Sequence, residues 1–91
     1  MQNYEVVNFQ HAGEDYEIRV ISDGETVTIK AFTNGEPANG YVYQINLMTA
    51  FDLKKLIGMD AIKNFIKLAE DDVRKNRWKK FLAALEQTNH K

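Results

Sequence analysis

The strongest candidate for a chemical site is a cluster of basic side chains around the single tryptophan. The segment RKNRWKKFL, residues 74–82, places five cations around Trp78: Arg74, Lys75, Arg77, Lys79 and Lys80. Basic side chains neutralise phosphates and an indole stacks on bases, so one interpretation is a nucleic-acid contact. The alternative is the solvated face of a helix whose apolar side packs elsewhere. This alternative is favoured because the net charge of −1 is far from the basic range of nucleic-acid binders.

The apolar residues of the same segment predict a protein interface. Helical spacing relates four of them: Trp78, Phe81, Leu82 and Leu85. At about 100° per residue, this stripe points roughly 140° away from the stripe of the preceding segment, which runs from Ile62 to Val73. The chain therefore either breaks near Asn76 or continues as one helix whose second half faces another surface. We predict that Leu82 and Leu85 are buried, either under the sheet or against a second copy or a partner protein.

Two acidic groups are weaker candidates for chemistry. His11, Glu14 and Asp15 share one turn and can in principle hold a metal, but a polar turn without fixed ligand spacing is the favoured interpretation. Asp71 and Asp72 are adjacent on a helix and point about 100° apart, so they cannot act together on one atom. A solvated face is the favoured interpretation of this pair as well.

The acidic residues before the basic cluster are expected to neutralise part of it. Glu70 lies four residues before Arg74, and Asp71 lies four residues before Lys75. Opposite charges at this spacing are neighbours on a helix and form ion pairs. The sequence therefore predicts two such pairs along the segment.

No motif in the chain predicts catalysis. The absence of cysteine excludes disulfides, thiolate metal sites and a cysteine nucleophile. A nucleophile elbow, a phosphate-binding loop and a zinc-binding helix pattern are also absent from the sequence. We therefore expect a protein that is not an enzyme and binds no cofactor.

Length and composition indicate one small globular domain over residues 1–91. Apolar residues make up 44% of the chain and charged residues 27%, which is ordinary for a folded domain. A core of this size is small, so association is one route to added stability. No apolar run approaches the roughly 18 residues of a membrane span, and MQNYEVVNFQ lacks the pattern of a signal peptide. We expect a cytoplasmic protein with no membrane partner.

The charges are unevenly distributed along the chain. Residues 1–48 carry two basic and seven acidic groups, giving −5, whereas residues 49–91 carry ten basic and six acidic groups, giving +4. An acidic strand half argues against docking of the sheet on DNA. It allows another hypothesis, an acidic inhibitor that imitates nucleic acid and occupies a nucleic-acid-binding protein. Nine lysines against three arginines, with eight asparagines, are typical of AT-rich bacterial or phage genomes.

An Asp-Gly pair between two alternating runs predicts a β-hairpin over residues 16–31. A two-residue type I′ loop at Asp23-Gly24 would place Val20 opposite Val27 and Ile18 opposite Ile29, with Arg19 opposite Thr28 and Glu17 opposite Lys30. One face of the hairpin then holds its apolar residues: Tyr16, Ile18, Val20, Val27, Ile29 and Ala31. The complete set of predicted strands is 4–10, 15–22, 25–32 and 40–48.

Helices are predicted after the strands, over residues 50–57, 61–75 and 77–87. Thr49 and Asp52 have the spacing of a capping box, and Gly58 can end the first helix. Asp60 can cap the second helix, and Asn76 can separate it from the third. The predicted fold is α+β, with a three- or four-stranded antiparallel meander followed by two or three helices packed on one face.

Overall fold

The chain folds into an antiparallel sheet followed by three helices. The structure is a computed structural model, which describes residues 3–89 and the side chains of residues 5–86. The strands are β1 (Asn3–His11), β2 (Glu14–Ser22), β3 (Thr26–Thr33), β4 (Glu36–Pro37) and β5 (Tyr43–Asn46). The helices are α1 (Leu47–Ile57), α2 (Ala61–Arg74) and α3 (Arg77–Asn89). The predicted α+β class is confirmed, with strands first and three helices last.

Strands β1 to β4 form an antiparallel meander, and β5 pairs with the same edge of β3 that β4 uses. The predicted single strand over 40–48 is wrong, because only residues 43–46 of it pair with β3. Residues 39–42 leave this edge. The Lys30 amino group donates to the carbonyl oxygens of Asn39 and Tyr41, both at 3.3 Å, and so holds this segment against the sheet.

The β2–β3 hairpin turns one position later than predicted, which shifts the cross-strand pairing by two residues. Its central residues are Gly24 and Glu25, because the Asp23 carboxylate accepts the N–H groups of Glu25 at 2.9 Å and Thr26 at 2.8 Å. A type I′ turn needs positive φ at both central residues, and Gly24 alone has it here. The register is therefore Ile18 opposite Ala31 and Val20 opposite Ile29.

The corrected register changes the cross-strand pairs but not the faces. A shift of two residues keeps every side chain on its side of the sheet, so the predicted apolar face is correct. On the outer face Arg19 lies opposite Lys30 instead of Thr28, and Glu17 lies opposite Phe32. The Arg19 guanidinium forms an ion pair with the Glu17 carboxylate at 3.0 Å and lies 4.1 Å from the centre of the Phe32 ring. These contacts offset the repulsion between Arg19 and Lys30.

Helix α2 covers the apolar face of the sheet and completes the core. Ile18 and Ile29 are fully buried at its centre, beside Val27, Ala31 and Ala69. The predicted helical stripe packs on them: Ile62, Phe65, Ile66 and Val73. This stripe is confirmed, since helical spacing places all of these side chains on one side of α2.

Helix ends follow local capping chemistry, with one correction. Asn46 caps α1 by accepting the N–H groups of Met48 at 2.9 Å and Thr49 at 3.2 Å. The helix thus begins at Leu47, and the predicted capping box from Thr49 is wrong because Asn46 caps the helix three residues earlier. The predicted end of α1 at Gly58, whose φ is 70°, is confirmed. The predicted start of α2 is confirmed as well, because the Asp60 carboxylate accepts the N–H group of Lys63 at 3.0 Å.

The break between α2 and α3 is also confirmed. Asn76 has a φ of 56°, in the left-handed region that asparagine adopts more readily than most residues. The α3 helix that follows adds no side chain to the core cluster among the residues that the structure describes. The described side chains of α3 therefore lie outside the hydrophobic core of the domain.

Candidate interaction surfaces

The junction between α2 and α3 is fixed by a buried carboxylate. Asp72 is only 2% exposed, so its predicted place on a solvated face is wrong. Its Oδ2 accepts the hydroxyl of Tyr43 from β5, and its Oδ1 accepts Arg77 from α3 at 3.0 Å. Burial, and next the bond to Asp72, raises the pKa of the Tyr43 hydroxyl above its usual value, so this group stays protonated as the donor.

Trp78 packs the first turn of α3 against residues 39–42, the segment that leaves the sheet edge. Its indole lies directly against the backbone of Gly40, where a side chain would collide with the ring. The ring meets Tyr41 edge-on at 5.2 Å and lies 5.5 Å from Phe81. Trp78 is thus half-buried within its own chain, and this placement does not present the indole for stacking on a base.

Beyond Trp78, α3 presents an uncovered apolar stripe. Phe81, Leu82 and Leu85 are 45%, 46% and 43% exposed. Of the two predicted locations for Leu82 and Leu85, burial under the sheet is therefore wrong, and burial against a second copy or a partner protein stays a prediction. A shallow depression runs along the side of this stripe and is lined by Lys79, Leu82, Ala83 and Glu86. We call Phe81, Leu82 and Leu85 the α3 stripe.

Helix α1 presents a second uncovered apolar surface, which the sequence analysis missed. Met48, Phe51, Leu56 and Ile57 are each 65–77% exposed, and Ala50 is the one buried residue of the helix. A signal for this surface was present, because LMTAFDLKKLI carries apolar residues on every side and a small domain cannot bury them all.

The basic cluster is partly neutralised inside the molecule. Arg74 bonds Glu70 at 2.7 Å, as predicted, and its guanidinium lies 5.0 Å from the centre of the Phe9 ring. Arg77 bonds the buried Asp72 instead of facing solvent alone. The predicted pair of Asp71 with Lys75 is not among the ion pairs of the described residues. The exposed lysines of the cluster are Lys75, Lys79 and Lys80.

Metal chemistry finds no support in the described part of the chain. No group of three or more His, Asp or Glu side chains lies close enough there to hold an ion, which includes the His11 turn. Within residues 3–89, none of the helices has the length and apolar character needed to span a bilayer. Comparisons with protein-family models, with curated proteins and with solved structures each give no match.

The shape of the molecule is extended for its mass. Its radius of gyration is 15.0 Å, whereas a compact domain of this length has about 12 Å. It exposes 6683 Å² of surface, whereas a compact monomer of 10.5 kDa exposes about 5,400 Å². The excess is roughly 1,300 Å², and a standard protein interface covers about 800 Å² on each partner.

Proposed function

We propose that this chain is a small, non-enzymatic protein-interaction module that acts as a homodimer or by docking on a partner protein. The interaction surface is the α3 stripe with its anchor Trp78. The observation that carries the proposal is that α3 holds three half-exposed apolar side chains along one side and, over its described side chains 77–86, contributes none to the core. A partner that covers this side supplies the packing that the single chain lacks.

The length of α3 supports the same conclusion. The helix has 13 residues, and isolated helices of about this length are only marginally stable in water. Its ion pair and its ring contact with the rest of the chain, through Arg77 and Trp78, both lie in its first turn. The helix gains most of its remaining stability when its apolar side is covered, because packing stabilises helices more than propensity does.

Nucleic-acid binding through residues 74–80 is the alternative, and it has weaker support. Two of the five cations, Arg74 and Arg77, already bond acidic groups, and Trp78 lies against Gly40. Three lysines remain exposed, which is few compared with the six to ten phosphate contacts of strong DNA binders. The interaction-module proposal therefore accounts for more of the geometry.

The substitution Leu85→Asp tests the proposal, with Lys80→Asp as a control that places the same carboxylate on the far, exposed side of α3. Leu85 is half-exposed in the single chain, so the carboxylate is tolerated there, whereas burial in an interface costs several kcal/mol. We expect Leu85→Asp to be a folded monomer and Lys80→Asp to associate like the wild-type protein. Light scattering gives the native mass, and circular dichroism checks the fold.

The proposal is contradicted if the wild-type protein associates and Leu85→Asp leaves that association unchanged, because the α3 stripe is then not the interface. A loss of folding in Leu85→Asp at every protein concentration also contradicts it. That result would mean that Leu85 stabilises the single chain.

A further inference from the structure

We infer that the occupant of the α3 stripe is the α3 helix of a second copy, packed antiparallel, with Lys79 of each copy facing Glu86 of the other. This inference rests on the proposed function and names the partner of the same surface. It follows from the spacing of the apolar and charged residues of α3.

The apolar residues of α3 follow the heptad of a paired helix. Trp78, Leu82 and Leu85 are spaced by four and three residues, the pattern of successive d, a and d positions. In antiparallel packing, a positions face d positions, so Leu82 of one copy lies opposite Leu85 of the other. Phe81 occupies a flanking position and covers the edge of this layer. The pairing thus covers all three side chains of the α3 stripe.

The charged residues decide the orientation. Lys79 and Glu86 are seven residues apart and both occupy the e position of this heptad. At about 100° per residue they lie within roughly 20° of each other on the same flank. The structure agrees, because both line the depression beside Leu82.

An antiparallel pair brings the e flanks of its two helices together. A two-fold axis between Leu82 and Leu85 then sets Lys79 against Glu86 of the second copy, twice per dimer. In a parallel pair, e positions face g positions, which are Phe81 and Thr88 here and carry no charge. The e-position charges are thus self-complementary in one orientation alone.

A second copy fits this surface for a further reason. The flank carries one positive and one negative charge per chain, so two identical copies satisfy both without any other partner. A contact of this kind is isologous and closes at two copies, which avoids open-ended assembly.

Charge reversal tests the pairing on the full-length protein. Lys79→Glu places like charges at both e-position contacts, and Glu86→Lys does the same with the opposite sign. We expect each single variant to raise the dimer dissociation constant by roughly tenfold, because two attractive contacts become repulsive. The double variant Lys79→Glu with Glu86→Lys restores both pairs and should return the constant to near the wild-type value. Sedimentation equilibrium measures each constant at low salt.

Lys80→Glu is the matched control, because Lys80 carries the same charge on the far side of α3. We expect it to leave the dissociation constant within about twofold of the wild-type value.

The pairing is overturned if the wild-type protein dimerises and the single variants behave like Lys80→Glu. It is also overturned if the double variant dimerises more weakly than either single variant. In those cases a dimer that Leu85→Asp dissociates would still uphold the proposed function. A wild-type protein that never self-associates would overturn the pairing on its own.

Discussion

At the scale of single residues, Asp72 is the group on which the arrangement of the helices depends most. It is the buried charged residue of the described chain, and it joins β5 through Tyr43 to α3 through Arg77. A buried carboxylate is tolerated when its oxygens accept enough hydrogen bonds, and these two donors supply them. Asp72 thereby fixes the direction in which α3 leaves the body.

The substitution Asp72→Ala should lower the free energy of unfolding by about 2 kcal/mol, because it leaves two donors without their acceptor. For a domain of this size, the melting temperature should fall by roughly 10 °C. Asp71→Ala is the matched control, since Asp71 is the adjacent aspartate and is not buried. Thermal unfolding followed by circular dichroism measures both. Equal losses in the two variants would show that the Asp72 contacts do not hold the junction.

The sequence could not separate Asp71 from Asp72. Both are adjacent aspartates on the same helix, and their burial depends on which side of α2 meets the sheet. That side was predicted correctly from Ile62, Phe65 and Val73, but the donor Tyr43 lies 29 residues away. Local spacing gives no signal for such a long-range bond, and therefore predicts a solvated position for both aspartates.

At the scale of elements, the fit between Trp78 and Gly40 attaches α3 to the sheet. The contact is possible because residues 39–42 leave the sheet edge. The Lys30 amino group holds this segment in place through its hydrogen bonds to the Asn39 and Tyr41 carbonyl oxygens. Any side chain at position 40 meets the indole ring. Glycine is needed here for close approach and not for a left-handed backbone.

The substitution Gly40→Ala should displace Trp78 and destabilise the protein by about 1–3 kcal/mol, as overpacking does. Trp78 is the single tryptophan, so intrinsic fluorescence reports its environment directly. We expect emission to shift to longer wavelength as the indole becomes exposed. The same substitution in a Trp78→Ala background should cost much less, because contacting residues are not additive. An unchanged emission spectrum, with equal costs in both backgrounds, would contradict the contact.

Element types were predictable from sequence patterns, but exact pairing was not. Alternation in β2 and β3 identified the buried face, because side chains of a strand alternate strictly between faces. The turn was misplaced because Asp23 uses its carboxylate to cap the turn and therefore lies at its first position, not at its centre. The strand over 40–48 was too long because alternation continues through residues that leave the sheet edge to contact Trp78.

At the scale of the whole molecule, the chain has more apolar surface than its own core can bury. The α3 stripe and the exposed side of α1 both remain uncovered, and the shape is longer than that of a compact domain. Large uncovered apolar surfaces on small proteins mark sites of association. The phase difference between the stripes of α2 and α3 was visible in the sequence, whereas the exposure of α1 required the fold.

The most direct measurement of self-association is the melting temperature of the wild-type protein as a function of its concentration, combined with its native mass. Association stabilises the folded state by mass action, so a dimer should melt at higher temperature as concentration rises from low micromolar to near millimolar. Over the same range, sedimentation should show the mass shift from one chain to two. A single-chain mass throughout, with one melting temperature at every concentration, would contradict self-association through α3.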